Sequence, residues 1–346
     1  MNQFFATCPR GLEAVLAEEL AALGAHHAKA TDGGASFSGT MALCYRVNLE
    51  SRVASRVQWQ IDSASYRIEE DVYQRARSLP WENWFTPHDT IAVKVTAQRC
   101  QLKSLEFITL RIKDAACDHF RDLTGIRPSV DTKQPDVRIH AYFDAQQFTL
   151  YLDTSGETLF KRGYRQFTGE APLRENLAAG ILKLAGWAPG MPLLYPMCGS
   201  GTFVLEAALI ALHIPPGINR PFGFERLKNF ERTALEEIRV EAVSQVLPAK
   251  TLPIYGSDID KWAVIDANKN LENAGLSQVA TVVEQDILEI TAPADNGVLV
   301  MNPPYGERIG EADELAEMYP KLGSVLKQRF AGWKVGILTA DTRYPN

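Results

Sequence analysis

From residue 193 onward the chain alternates short apolar strands with helices. Leu193-Leu194 runs into Met197-Cys198-Gly199-Ser200-Gly201-Thr202 and then an almost wholly apolar helix over 203–212, stopped by Pro215-Pro216. Ile254-Tyr255-Gly256-Ser257-Asp258 leads to a helix over 263–273, with Gly275 as its C-terminal cap. Strands at 280–284 and 298–301 end at Asp286 and Asn302, a helix over 315–330 follows, and 334–339 is a further strand. Strand and helix in alternation predict an α/β fold with a doubly wound parallel sheet, in which ligands bind at the carboxyl ends of the strands.

Four marked positions fall at those ends. Gly199 and Gly201 let backbone approach a ligand closely, Asp258 can accept from two ribose hydroxyls, Asp286 can accept from an adenine amino group, and Asn302 opens a rigid turn. An adenosine-containing cofactor satisfies all four. The glycine pair lacks the third glycine of the dinucleotide fingerprint, and no Walker-type Gly-Lys-Ser/Thr occurs. Neither a pyrophosphate nor a triphosphate is catered for, whereas S-adenosylmethionine carries no phosphate. Gly201 and Asp258 are 57 positions apart, where a dinucleotide fold expects about 20. The proline-rich and then charged stretch 214–250 reads as an insertion that accounts for the difference. Pro196, Met197, Cys198, Ser200, Thr202, Ile259 and Ile287 flank the marked positions and complete the expected cofactor site. Cys198 reads as a small structural residue in the glycine turn.

The turn after the fourth strand is the expected reacting centre. Val298-Leu299-Val300-Met301 runs straight into Asn302-Pro303-Pro304-Tyr305. Two prolines fix two φ angles and remove two donors, which leaves bare carbonyl acceptors at a strand end. An exocyclic amine of a nucleobase is a pair of donors. The Asn302 side-chain oxygen and the Pro303 carbonyl can hold them while Tyr305 stacks on the ring, so the turn presents an amine for alkylation. A Pro-Pro turn is also a common rigid stop, and the weight of the reading comes from the cofactor site upstream.

The first half reads as short α and β segments without a phosphate loop, a small α+β module. An amphipathic helix with apolar Leu12, Val15, Leu16, Leu20 and Leu23 is closed by Gly24, and a second helix is expected over 41–56. Strands at 90–96, 140–143 and 148–152 flank a helix over 105–122, with Asp144-Ala145-Gln146-Gln147 as a hairpin turn. Trp81 and Trp84, at a helix end among apolar neighbours, are expected to pack rather than stack on bases. Proline, glycine and charge cluster around 161–176, which places the domain join there.

At 346 residues the chain is long enough for more than one core, and its net charge of −6 argues against a global nucleic-acid-binding field. The acidity lies mostly after residue 170, with 16 basic against 21 acidic residues, while residues 94–138 hold nine Lys/Arg against six Asp/Glu. RNA contact is therefore expected at local patches, with Lys103, Lys133, Lys161, Arg162 and Arg165 as candidates. Five cysteines form no Cys-x-x-Cys pair, and no long apolar run or basic leader is present, so a reduced, cytoplasmic setting without metal or disulfide is expected.

These residues also carry a resemblance. Asn302-Pro303-Pro304-Tyr305, the 197–202 turn and the Tyr255-Gly256-Ser257-Asp258 strand end resemble the motifs of amino-group methyltransferases. Phe5-Ala6-Thr7-Cys8-Pro9-Arg10-Gly11-Leu12-Glu13, Lys161-Arg162-Gly163-Tyr164-Arg165 and Ala171-Pro172-Leu173-Arg174-Glu175 resemble the bacterial ribosomal RNA guanine-N2 methyltransferases that carry a THUMP domain, often labelled N6-adenine-specific DNA methylases. The resemblance covers essentially the whole chain. It implies a ferredoxin-like segment (1–55), a THUMP RNA-binding domain (56–165) and a Rossmann-like class I methyltransferase domain (166–346). It also implies that the last domain uses S-adenosylmethionine to methylate a guanine N2 in large-subunit (23S) ribosomal RNA. Tyr195 stands where the family usually has an acidic residue, and the family's sheet normally gains a final antiparallel hairpin beyond the point where this chain stops, at Asn346; a natural chain that extends further is the expectation.

The residues themselves accommodate either purine amine, and guanine comes from the resemblance alone. Transfer RNA guanine-N2 or DNA adenine-N6 are alternative targets of the same turn. A non-catalytic RNA-binding ribosome assembly factor is the alternative of another class, and the intact Asn302 turn argues against it. A nicotinamide-dependent oxidoreductase is disfavoured by the missing third glycine.

Overall fold

The computed structural model describes residues 1–166, 172–303 and 311–338, with side chains from 317 onward in the last stretch. It divides into two compact units, Met1–Leu159 with Arg220–Val240, and Phe160–Asn219 with Glu241–Asn346.

The first unit is built on one seven-stranded sheet. Its strands are β1 (Asn2–Thr7), β2 (His26–Thr31), β3 (Gly34–Gly39), β4 (Arg56–Ser65), β5 (Ile91–Ala97), β6 (Val137–Phe143) and β7 (Gln147–Asp153), in the order β2-β3-β1-β4-β7-β6-β5. β4 pairs with β1 on one side and β7 on the other, so the sheet runs continuously through the expected boundary at 55/56. Alternation decides which faces are covered: Phe4 and Ala6 of β1, and Val137, Ile139, Ala141 and Phe143 of β6, are buried. α1 (Glu13–Ala22) buries Leu16 and Leu20. Only glycine fits at position 34, because a Cβ there would lie 2.0 Å from the Ala6 carbonyl oxygen.

α2 (Met41–Glu50) is capped by Thr40, whose Oγ1 accepts from the Leu43 N–H at 3.1 Å. It stops at Glu50 rather than continuing to 56. The half-buried Glu19 carboxylate accepts the Ser51 hydroxyl and the Arg52 N–H, the latter at 3.0 Å, and these bonds draw the chain out of the helix. α3 (Glu69–Arg77) packs on α4 (Leu105–Thr124), which carries the parallel crossover from β5 to β6. Trp81 is fully buried beneath them and donates through Nε1 to the Ala76 carbonyl at 2.7 Å, while Trp84 packs edge-on against Trp81 and Trp59. Both therefore pack, as their sequence context predicts. Part of the expected insertion also belongs to this unit: Phe224 stacks on Tyr45 with centroids 4.2 Å apart, and Arg220 donates to the carbonyls of Ser155, Glu157 and Thr158.

His140 of β6 makes the first unit's stability depend on pH. Its ring nitrogens face Gln58 Oε1 at 3.0 Å and Thr96 Oγ1 at 2.8 Å. Burial, then Lys94 and Arg56, push its pKa from 6.5 down to about 4. A folded pKa below the unfolded one means that the unfolded chain binds the extra proton first. Stability is then fully present above about pH 6.5 and falls as the pH drops toward 4, by about 3 kcal/mol from this group alone. Chemical denaturation of His140→Gln is expected to show a flatter profile across that window; an unchanged slope would remove His140 as its source.

The second unit holds α5 (Glu175–Leu184), β8 (Leu193–Pro196), α6 (Thr202–Ala211), β9 (Ile254–Asp258), α8 (Lys261–Asn273), β10 (Thr281–Glu284), β11 (Val298–Met301), α9 (Glu311–Arg329) and β12 (Lys334–Ile337); α7 (Arg232–Ser244) precedes β9 in the chain. The five strands lie in the order β10-β9-β8-β11-β12, and every neighbouring pair is parallel. This is the doubly wound sheet expected from the alternation. The order reverses between β8 and β11, so the topological switch point, where such folds open a crevice, falls between the glycine turn and Asn302. α6 is buried over nearly its whole surface.

Candidate active site

The glycine turn begins where β8 ends. Met197 takes a positive φ of 54°, and Gly199 and Gly201 follow at 49° and 83°. A non-glycine residue in that region is uncommon and marks a tightly determined turn. At Gly201 a Cβ would lie 3.1 Å from the Ala267 Cβ of α8, so this glycine also permits close helix packing. The turn is tied across the sheet: the Cys198 N–H donates to the Ser257 carbonyl at 2.9 Å, and the Gly199 N–H donates to Asp258 Oδ2 at 2.9 Å.

Asp258 closes β9. Its Oδ1 accepts from the Asp260 N–H at 2.9 Å, and Asp260 in turn caps α8 by accepting from the Trp262 N–H. A carboxylate has about four acceptor positions, so capacity remains for two hydroxyls. Ile259 beside it is exposed. Asp286, two residues past β10, uses Oδ1 to accept from the Leu288 N–H at 2.8 Å, which leaves its second oxygen for a ligand amine. The Ile287 side chain is buried in a core cluster with Leu194, Leu299 and Met301, so only its backbone can serve a ligand. Pro196 ends β8, Ser200 lies in the turn and Thr202 opens α6. The structure thus brings the expected cofactor residues to one edge of one sheet. Two positive-φ glycines, an acid at the next strand end and a buried Ser257 hydroxyl without a hydrogen-bond partner among the described residues make an edge that fits an adenosyl group.

Asn302 stands one residue past β11, which is buried throughout and pairs in parallel with β8 and β12. The Leu338 N–H donates to the Met301 carbonyl at 2.9 Å and holds the strand end. Pro303 is buried; Pro304 and Tyr305 lie outside the described residues. Cys198 is buried, and burial, then Asp258, push its thiol well above the usual range, so it suits a structural role.

Two expected RNA contacts are corrected. Arg162 is only 2 % exposed, and its guanidinium faces Glu206 of α6, with Nη2 3.2 Å from Oε2; Tyr164 donates to the same carboxylate at 2.7 Å. Arg165 also turns inward, donating to the Leu173 carbonyl, Ser200 Oγ and Thr202 Oγ1. Alternate residues of an extended segment face opposite sides. Here 162 and 164 are buried while Lys161 and Gly163 are exposed. Lys103 and Lys133 are exposed on the first unit, and Lys161 on the second. Sequence reasoning missed Asn270, which is fully buried and donates from Nδ2 to the Ser200 carbonyl while accepting the Gln166 N–H. A polar residue on the core face of α8, next to Leu271, is the signal that marks it.

Among the described residues no cluster of His, Cys, Asp or Glu could hold a metal ion, and no helix is long and apolar enough to cross a membrane. Fold and site together define the second unit as a Rossmann-like domain of the class I methyltransferase type. Residues 162–345 match the RMKL-like methyltransferase domain, 66–153 the THUMP domain and 3–58 the RlmL ferredoxin-like domain. The chain belongs to the RMKL-like methyltransferase family, with ferredoxin-like and THUMP domains preceding the catalytic fold.

Ribosomal RNA large subunit methyltransferase K/L of Cellvibrio japonicus is 40% identical over 99% of this chain and 47% of its own length. A Synechocystis protein assigned as an RNA methyltransferase is 38% identical over 98% of this chain and 88% of its own. A crystal structure of a protein assigned as a methyltransferase, in complex with S-adenosylhomocysteine, superposes with a TM-score of 0.88 at 32% identity, covering 99% of this chain and 90% of that one. The chain spans about half the length of the K/L relatives it matches.

Proposed function

We propose that the chain methylates the exocyclic N2 amine of a guanine in large-subunit (23S) ribosomal RNA, with S-adenosylmethionine as donor. The observation that carries this reading is the placement of Asn302 at the end of β11, beside β8 and its glycine turn, at the switch point of the sheet. The bound cofactor supplies a sulfonium methyl that is already electrophilic. The chain's own task is then to place the amine in line with it and exclude water.

The Asn302 side-chain oxygen and the Pro303 carbonyl accept the two N–H groups of the amine and direct its lone pair toward the donor, and Tyr305 stacks on the ring. Pro303 contributes no N–H of its own to compete. Asp258 accepts from the ribose hydroxyls and Asp286 from the adenine amine of the cofactor, while the amides around Gly199 and Gly201 line its path. A base in structured RNA is flipped out to reach the turn, at a cost of roughly a few kcal/mol that RNA contacts by the THUMP-bearing unit offset. Lys103, Lys133 and Lys161 are the candidate phosphate contacts. No covalent nucleophile takes part, in keeping with the buried Cys198.

The large-subunit target is supported by the K/L relatives' names and the THUMP match. Labelled S-adenosylmethionine offered with protein-free large-subunit RNA, transfer RNA and duplex DNA in parallel tests it. Label is expected in the large-subunit RNA. Label confined to transfer RNA or DNA would move the substrate, and label in none would leave an RNA-binding role.

A further inference from the structure

A buried ion pair stands beside the glycine turn, and the scheme above leaves it unused. Glu175 opens α5 and is 4 % exposed. Arg165 Nη1 lies 3.4 Å from its Oε1. The same guanidinium reaches Ser200 Oγ at 3.0 Å and also Thr202 Oγ1, so the pair is fastened to the turn at the end of β8. Neither partner is fully used. Arg165 Nε is buried without a hydrogen-bond partner among the described residues. The Glu175 carboxylate meets Arg165 and its own backbone N–H, whereas the Glu206 carboxylate, also buried, meets both Arg162 and Tyr164. Burial pushes the Glu175 pKa up and Glu206 adds to this, while Arg165 first and then the Glu175 backbone N–H and Arg162 draw it partly back. Arg165 is the one cation within ion-pair distance of it among the described residues, so a buried carboxylate so placed gains from a further cation in direct contact.

The cofactor's amino-acid end is a zwitterion, one ammonium and one carboxylate, and it needs one partner of each sign. β8 carries Leu193, Leu194, Tyr195 and Pro196, and no acid lies between Met197 and Thr202. Asp258 accepts the Gly199 and Asp260 N–H groups and its remaining capacity is assigned to the ribose hydroxyls, and Arg162 and Glu206 face each other. Among the charges that the described residues place at this turn, Arg165 and Glu175 remain.

We propose that Glu175 and Arg165 receive the amino-acid end of the cofactor, Glu175 accepting from its ammonium and Arg165 Nε donating to its carboxylate. Tyr195, at the third position of β8 and packed edge-on against Phe203 at 4.8 Å, then has no need to be acidic. The assignment rests on the methyltransferase reading and adds the residues that distinguish the whole cofactor from its nucleoside part.

Calorimetry on the full chain with S-adenosylhomocysteine and with 5′-methylthioadenosine, which lacks the amino-acid end, separates this role from simple bracing of the turn. Glu175→Gln and Arg165→Lys are each expected to weaken S-adenosylhomocysteine roughly 10- to 100-fold and to leave methylthioadenosine within about twofold. Decarboxylated S-adenosylmethionine keeps the ammonium alone, so it should feel Glu175→Gln and not Arg165→Lys. Equal weakening of S-adenosylhomocysteine and methylthioadenosine, or no weakening of the former, overturns the assignment. Wild-type protein that binds neither nucleoside brings down the cofactor reading, and the assignment with it.

Discussion

Replacing Asn302 with alanine is expected to lower methyl transfer by at least about 10²- to 10³-fold while S-adenosylhomocysteine binds as before. Asn302 stands past the end of β11, on the far side of β8 from Asp258, so the ribose and adenine contacts proposed for Asp258 and Asp286 do not involve it. What is lost is the acceptor that orients the amine. Pro303 alone can hold one N–H, and a free rotor then samples unproductive directions. The loss should appear in kcat under saturating RNA, because flipping and backbone contacts are retained. An Asn302→Ala protein with undiminished turnover would remove the turn from the mechanism. One that loses turnover and cofactor affinity together would show Asn302 to be part of the cofactor site.

The second large effect is on stability. Glu206→Ala is expected to cost about 3–5 kcal/mol, because it strands the Arg162 guanidinium in the interior of the second unit. Burial alone would pull the Arg162 pKa down, but Glu206 beside it outweighs that and holds the arginine charged. Tyr164 loses its acceptor in the same step, and its hydroxyl is equally buried. Urea denaturation should place the second unit's transition well below that of the unaltered chain. Replacing both charges, Arg162→Met with Glu206→Leu, is expected to cost less than Glu206→Ala, since no unpaired charge remains. A double variant as unstable as the sum of the singles would show that the pair is not the source.

The sheet of the second unit is legible in the sequence because its central strands β8 and β11, buried on both faces, are short apolar runs, and the first four strands lead to a residue of another kind: Gly199, Asp258, Asp286 or Asn302. Those residues are visible at the strand ends because nothing in strand packing calls for an acid or an amide there. β2 is not legible. His26-His27-Ala28-Lys29-Ala30-Thr31 has no apolar face, since it sits at a sheet edge, and its register shifts near His27, whose φ is 54°. The return of Arg220–Val240 to the first unit rests on Phe224 meeting Tyr45, a contact between residues far apart in the chain. Arg162 and Arg165 show a different limit. A run of basic residues reads as surface, and only the buried Glu206 and Glu175, on helices further along, turn these two inward. Glu206 is a lone acid in an apolar helix, and that is the sequence signal that a buried cation stands opposite.

The role proposed for the Asn302 turn is to present a guanine N2 to the methyl donor. The most direct measurement is nucleoside mass spectrometry of large-subunit RNA, taken from cells that lack this gene and then incubated with the purified chain and isotopically labelled S-adenosylmethionine. Labelled N2-methylguanosine is the predicted product. Label recovered as N6-methyladenosine, or unmodified guanosine throughout, would contradict that role.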